Sequence, residues 1–261
     1  MSVPAISSAL LSAHNLHKSF GGVRAVDGIS LDVAAGAIFA LIGPNGAGKS
    51  TTLNLLSGTY QPDLGSLRFA ERELIGLPAY RRARLGLART FQKIRLFKQL
   101  TVLDNVLVGF HVHHRIPAWQ YVFAGRARRA DAARCRDAAH DLLAFVGLAD
   151  LAGGRAGSLA YGQQRMLEIA RALATGPRLF LLDEPAAGLN GAEVEFLVER
   201  LVALRDRGMT LVVVEHNMDL VMSVAEHVFV MDQGRFLFEG KPQAVQENPD
   251  VIAAYLGGEL S

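Results

Sequence analysis

Gly43-Pro44-Asn45-Gly46-Ala47-Gly48-Lys49-Ser50 fits the pattern G-x-x-x-x-G-K-[ST] and stands between an apolar run and a helix start, the setting in which such a loop cradles phosphate. Upstream, Ala37-Ile38-Phe39-Ala40-Leu41-Ile42 reads as a buried strand. Downstream, Ser50-Thr51-Thr52-Leu53-Asn54-Leu55-Leu56 opens a helix whose unpaired N–H groups can face phosphate oxygens. Gly43, Gly46 and Gly48 allow backbone conformations closed to other residues, Lys49 brings a mobile positive charge for the β- and γ-phosphates, and Ser50 brings a hydroxyl for Mg²⁺. With Pro44, Asn45, Ala47 and Thr51 completing the cradle, the chain is expected to bind a nucleoside triphosphate.

The rest of the composition is that of an ordinary globular protein. The 261 residues are 50% hydrophobic and 20% charged, enough for one large domain or a core with an appended subdomain. No apolar stretch approaches the ~18 residues of a membrane-spanning helix. The opening Met1-Ser2-Val3-Pro4-Ala5-Ile6 lacks the basic start of a secretory signal, so neither cleavage nor export is expected. Cys135, the lone cysteine, cannot form an internal disulfide and is given no function. A formal charge of +2 gives no general nucleic-acid signal, although Arg81, Arg82, Arg84, Arg89, Lys93 and Arg95 cluster, as do Arg126, Arg128 and Arg129.

Strand-like runs at Ile29 to Val33 and Ala37 to Ile42, punctuated at Gly21-Gly22 and Ala35-Gly36, suggest an antiparallel sheet beside the phosphate loop, to which Gly65 to Phe69 could add a strand. From about Thr101 strand formers thin out, and Asp131 to Gly147 repeats apolar positions at helical spacing, which reads as an inserted helical subdomain. Strand candidates return at Leu179 to Leu182, Thr210 to Val214 and Val228 to Met231, with helix candidates Glu193 to Arg207 and Met218 to Ala225 between them. That alternation predicts an α/β fold with a mainly parallel sheet covered on both faces.

Two acids, Asp183 and Glu184, follow the apolar run Leu179-Phe180-Leu181-Leu182 at the carboxyl edge of a strand, where ligands of open α/β sheets collect. Asp183 is the natural Mg²⁺ partner, and Glu184 is placed to orient or deprotonate an attacking water. The bland alternative is a helix N-cap. Ser158-Leu159-Ala160-Tyr161-Gly162-Gln163-Gln164-Arg165 precedes a helical segment that ends at Gly176-Pro177.

Taken with Gln92 after Arg89-Thr90-Phe91 and His216 after Val212-Val213-Val214-Glu215, these motifs resemble, in order and spacing, the ATP-binding subunits of ABC transporters. The resemblance implies a P-loop ATPase core with an N-terminal antiparallel β subdomain and an inserted α-helical subdomain. The whole of 1–261 is then one domain: 1–100 and 176–240 form the nucleotide-binding core with its β subdomain, 101–175 the helical part, and 241–261 a helical tail. Gln92 becomes the residue that senses Mg²⁺ and the γ-phosphate, and His216 the one that contacts that phosphate. A glutamine amide can both accept and donate, and a neutral imidazole can bridge phosphate and water. Phe20 resembles the aromatic that stacks on adenine, although a lone Phe at a strand end is as often a core residue. Leu159, Ala160, Tyr161, Gly162 and Gln163 form the segment that would meet ATP held by a partner subunit. Two such subunits would sandwich two ATP molecules with Mg²⁺, closing on binding and reopening after hydrolysis.

Two positions depart from the family pattern. Ala160 stands where a serine hydroxyl would touch the opposing γ-phosphate, and Asn190, after Ala187-Gly188-Leu189, stands where many members carry an aspartate. The first removes a charge-assisted hydrogen bond worth about 1.5–3 kcal/mol; the second keeps hydrogen bonding but loses a charge.

Ala88-Arg89-Thr90-Phe91-Gln92, Arg95-Leu96-Phe97, Leu100 to Val106, Glu215-His216-Asn217-Met218 and the tail Asp250 to Gly258 are similar to one branch, the larger ATPase of branched-chain amino-acid uptake systems. Its partners would be a second ATPase, identical or different, two hydrophobic permease subunits and, indirectly, a periplasmic solute-binding protein. The place would be the cytoplasmic face of the inner membrane. Amides, urea and aromatic acids stay open as cargo. A soluble ABC ATPase acting on nucleic acid or ribosomes is disfavoured by the single phosphate loop and the lack of heptads, and no nucleic-acid partner is expected. An exporter's cassette would be chemically alike, and only the tail favours import. His111, His113, His114 and Trp119 suggest a metal site, but no Cys or carboxylate completes a ligand set, and a surface facing membrane partners suits the stretch better.

Overall fold

The computed structural model describes residues 9–113 and 125–257. The chain opens with β1 (Ala9–Phe20), β2 (Val23–Ala34) and β3 (Ile38–Ile42), then α1 (Lys49–Ser57), β4 (Leu64–Phe69) and β5 (Arg72–Glu73). Next come α2 (Ala79–Arg84), β6 (Leu87–Arg89), α3 (Val102–Phe110), α4 (Gly125–Phe145) and α5 (Tyr161–Leu173). The last part holds β7 (Leu179–Asp183), α6 (Gly191–Asp206), β8 (Thr210–Val214), α7 (Met218–Val224), β9 (His227–Asp232), β10 (Arg235–Gly240), α8 (Pro242–Gln246) and α9 (Pro249–Gly257).

Six strands form one sheet in the order β10-β9-β3-β8-β7-β6, parallel except for β10, which returns antiparallel to β9. Four antiparallel strands, β2-β1-β4-β5, form the other. Every residue of β3, β7 and β8 is buried, as a parallel sheet covered on both faces requires. Alternate side chains go to different cores. Phe39, Leu41, Leu179, Leu181, Val212 and Val214 meet the antiparallel sheet and the α1 residues Leu53, Leu55 and Leu56. Phe180, Leu182, Leu211 and Val213 meet α3 to α6 through Val106, Leu143, Leu167 and Leu201. Ala40 and Ile42 meet Val221, Val245 and Val251 of α7 to α9. Leu41, fully buried, would cost about 2–5 kcal/mol if cut to alanine.

The predicted mainly parallel sheet and the N-terminal antiparallel sheet are both present, but Ala37 to Ile42 does not belong with the antiparallel strands. The chain reverses at Gly36, whose φ is 74° and whose N–H donates to Thr210 Oγ1 at 2.8 Å. That turn carries β3 between β8 and β9. Ile29 to Val33 falls within β2, whereas β1 carries no strand signal in the sequence: it mixes Ser, His, Asn and Lys with its apolar residues, and its register slips between Ala13 and Leu16, where Asn15 has φ 48°. Among the described residues no helix is long and apolar enough to cross a membrane.

Candidate nucleotide site at the carboxyl edge of the sheet

The loop after β3 depends on its glycines for two separate reasons. Gly43, Gly46 and Gly48 have φ of 149°, 82° and 94°, values that other residues rarely adopt. At Gly43 and Gly48 space adds a second constraint, since a Cβ would run into the carbonyl oxygens of Met231 and Ala25 respectively. A later turn braces the loop: Gly234 N–H donates to Ala47 O at 3.1 Å, and Asp27 N–H to Gly234 O at 2.8 Å. Lys49 Nζ donates to Gly43 O at 2.6 Å and Pro44 O at 2.9 Å. Burial lowers the pKa of Lys49, against the opposing pull of Glu184 and Asp183. Asn45 to Thr51, Arg24, Gln92, Glu184 and Gln233 line a cavity of about 520 Å³ around the α1 N-terminus, where unpaired N–H groups and the helix dipole favour an anion.

Asp183 ends β7 and is buried; its Oδ2 accepts from Arg89 Nη2 at 2.9 Å at the end of the neighbouring β6. Burial raises the Asp183 pKa, and Arg89 works against that rise. Arg89 also donates to Asn54 Oδ1 at 2.6 Å and Ser57 Oγ at 2.8 Å on α1. Asp183 Oδ1 is buried without a hydrogen-bond partner. A buried carboxylate oxygen left unpaired is costly; Ser50 and Gln92 line the phosphate cavity whereas Asp183 does not, and carboxylate, hydroxyl and amide oxygens are the hard donors that suit Mg²⁺. Glu184 follows with φ 47°, its N–H donating to Val214 O at 2.9 Å and its Oε2 accepting from Gln92 Nε2 at 3.0 Å. The acidic pair is no helix cap: α6 starts only at Gly191, capped by Asn190 Oδ1, which accepts from Glu193 N at 3.0 Å.

His216 lies just past β8, with its side chain 59% exposed; it is not among the residues lining the phosphate cavity. Its backbone is fixed by Glu215, whose buried carboxylate accepts from Ala186 N at 2.8 Å and from His216 N at 3.1 Å. One side chain thus ties the segment after Glu184 to the segment carrying His216. Phe20, 43% exposed, meets Tyr60 edge-to-face at 5.2 Å, and neither lines the phosphate cavity.

Within one chain the structure does not bring Leu159 to Gln163 to the phosphate loop. Leu159 packs in the core, so only its backbone is available to a ligand, and its carbonyl already accepts from Gln164 Nε2 at 2.8 Å. Ala160 is the N-cap of α5 and offers no side-chain acceptor; its N–H donates to Gln163 Oε1 at 3.0 Å. Tyr161 is 48% exposed, and a Cβ on Gly162 would strike the Glu193 carboxylate. Gly162 and Gln163 line a separate cavity with Asn190, Glu193 and Phe196.

Arg89, Tyr60, Glu215 and Arg165 had no assigned part in the sequence reading, and no local spacing marks them, because each acts on groups distant along the chain. Tyr255 of α9 is another such residue. It packs on the cluster of Ala40 and Ile42, and its buried hydroxyl lies beside the Gly43 backbone N–H without reaching hydrogen-bond geometry. Burial pushes its pKa up to about 12. His114 and Trp119, and the side chains of His113, Arg126, Arg128 and Arg129, lie outside the described residues.

The sequence profile of the ABC transporter family matches residues 26–187, and that of the branched-chain amino acid ATP-binding cassette transporter family matches residues 237–260. The chain belongs to the ABC transporter family. It is an ATP-hydrolysing cassette. It is 44% identical over 253 residues to the high-affinity branched-chain amino acid transport ATP-binding protein BraF of Pseudomonas aeruginosa, covering 97% of this chain and 99% of that one. LivG of Escherichia coli strain K12, described in the same words, is 42% identical over the same shares. Among solved structures, the ADP conformation of MJ1267, an ATP-binding cassette of an ABC transporter, superposes with a TM-score of 0.83 at 30% identity, covering 95% of this cassette and 99% of that chain. The dimeric structure of the bacterial cassette MJ0796 gives a TM-score of 0.76 at 26% identity, covering 89% and 98%.

Proposed function

We propose that this ABC cassette energises the uptake of branched-chain or related amino acids, working as one of a pair of ATPases on the cytoplasmic face of the inner membrane. The observation that carries the reading is its 44% identity, over nearly the whole of both chains, to a relative described by that transport. The family match over the tail, residues 237–260, supports the same branch. Two permease subunits and a periplasmic binding protein would complete the system.

In this reading the residues divide the work by position. The glycine backbone, Lys49 and the α1 N-terminus bind the phosphates. Ser50, Asp183 and Gln92 would hold Mg²⁺, which when bound neutralises charge on the β- and γ-phosphate oxygens. Glu184 orients the attacking water and takes its proton, His216 contacts the γ-phosphate, and Phe20 stacks on adenine. Because Ala160 to Gln163 lie away from this chain's phosphate cavity, they are left to cover a site on the partner. A groove of about 550 Å³ lined by Tyr80, Phe91, Phe97, Val108 and Arg171 suits an amphipathic segment of a permease.

Affinity purification of the tagged chain from solubilised native membranes tests the proposal. The expected result is two hydrophobic permease chains and a second ATPase, with leucine uptake lost in a Lys49→Ala strain. Ribosomal partners, or permeases of an exporter, would replace this reading.

A further inference from the structure

Arg165 is fully buried on α5, one turn past Tyr161, and no role in phosphate or metal binding falls to it. Its Nη1 donates to Phe91 O at 2.9 Å and to Glu168 Oε2 at 3.0 Å, and its Nη2 donates to Gln92 O at 3.0 Å and to Tyr161 Oη at 3.4 Å. Glu168 extends the grip, its Oε1 accepting from Arg95 N at 3.2 Å. Helix α5 therefore holds the backbone around Gln92 at three places, while its own N-terminus carries the segment assigned to the partner's nucleotide. Stability alone is a poor reason for this arrangement. A buried ion pair gains little over apolar residues of the same volume, and Arg165 Nε is buried with no acceptor. What the planar fork does provide is rigidity across a tertiary junction.

We propose that Arg165 is a positioning residue that passes the engagement of Ala160 to Gln163 to Gln92 of the same chain, and so couples the two nucleotide sites of an ATPase pair. The inference rests on the sandwich described under the proposed function. A shift of the α5 N-terminus onto a partner's nucleotide moves Phe91 O and Gln92 O with it, and through them the amide that donates to Glu184 Oε2 at 3.0 Å. Each chain then completes one site with its helix and adjusts the other with its glutamine.

The test compares the full chain, in a Glu184→Gln background and paired with its partner ATPase, with the same chain carrying Arg165→Lys. Lysine keeps the charge beside Glu168 but lacks the fork that reaches two carbonyls at once. Hydrogen exchange is followed with and without MgATP. The expected result is that protection of residues 43–50 and 159–163 still rises with nucleotide in the variant, whereas the nucleotide-dependent change at residues 91–95 is lost. In the Glu184 background, Arg165→Lys is expected to lower kcat by about tenfold with KM nearly unchanged. Should the lysine variant not fold, Arg165→Met with Glu168→Met, which keeps volume and removes both charges, is expected to give the same pattern. Exchange at 91–95 that responds to nucleotide as in the parent, in whichever variant folds, overturns the proposal. A parent pair that shows no protection at 159–163 overturns the sandwich itself, and the coupling with it.

Discussion

Glu184 is the residue at which backbone and side chain carry separate demands. Its left-handed φ of 47° is an unfavourable conformation for a non-glycine residue, of the kind held in place at functional sites by surrounding contacts. The Val214 carbonyl and the Gln92 amide supply those contacts. Glu184→Gln leaves the backbone requirement untouched and removes the proton acceptor, so ATP turnover should fall by at least about a hundredfold while ATP binding persists and a closed pair accumulates. Turnover and size-exclusion profiles measure this; normal hydrolysis would refute the general-base role. Ala160→Ser separates two effects of one hydroxyl. At the N-cap of α5 a serine stabilises the helix by about 1 kcal/mol, raising the thermal midpoint of the isolated chain. Its contact with an opposing γ-phosphate should also tighten ATP-driven dimerisation by about tenfold, read in the Glu184→Gln background. A raised midpoint with unchanged dimerisation would assign the hydroxyl to the cap alone. The phosphate loop was legible in the sequence because its conformation admits few residue types at Gly43, Gly46 and Gly48. The parts played by Arg89 and Glu215 were not, because their partners lie 94 and 29 residues away and the motifs that contain them do not say what they bind.

Elements differed in legibility for reasons of burial. Thr210 to Val214 is one threonine and an unbroken apolar run, buried on both faces, and the sequence reading recovers β8 at its full length. In contrast, β10 sits at a sheet edge with Phe236 exposed, so its apolar alternation is blurred. Helix α9 is a tail element that the family resemblance implies is helical without saying what it touches. Its Tyr255 brings a ring to the β3 side of the core and a hydroxyl that is desolvated and unpaired. An unpaired buried hydroxyl opposes folding, so Tyr255→Phe should raise stability by about 1 kcal/mol. Tyr255→Ala, which removes the ring as well, should lower it by about 3 kcal/mol. Chemical denaturation of both variants checks the pair. A destabilised phenylalanine variant would mean that the hydroxyl does bind the Gly43 N–H.

Across the whole molecule, the two sheets are joined by charge as well as by their shared core. Asp27 of β2 accepts from Arg235 Nε at 3.0 Å and Nη2 at 2.9 Å on β10, and pairs with His17 at 3.1 Å. The hydrogen bond from Arg235 holds the Asp27 pKa below its ordinary 3.8. For a carboxylate depressed on folding, the contribution is present above the unfolded value and disappears as pH falls through the folded one. Asp27→Asn should therefore flatten the acid side of the stability profile below about pH 4, and less so at high salt, since Arg235 is exposed. Thermal midpoints between about pH 3 and pH 6 measure it; an unchanged acid slope would show that the pair is inert. The brace on the phosphate loop has a further consequence during synthesis. Gly43 is packed under Met231, and Ala47 is held by Gly234, so a loop encoded near the start of the chain is braced in part by residues translated near the end. A ribosome-tethered chain that has not yet exposed Gly234 should fail to retain ATP, and binding should switch on over the few residues that release β9 and β10, late enough for the nascent protein to meet its first nucleotide as an almost finished fold.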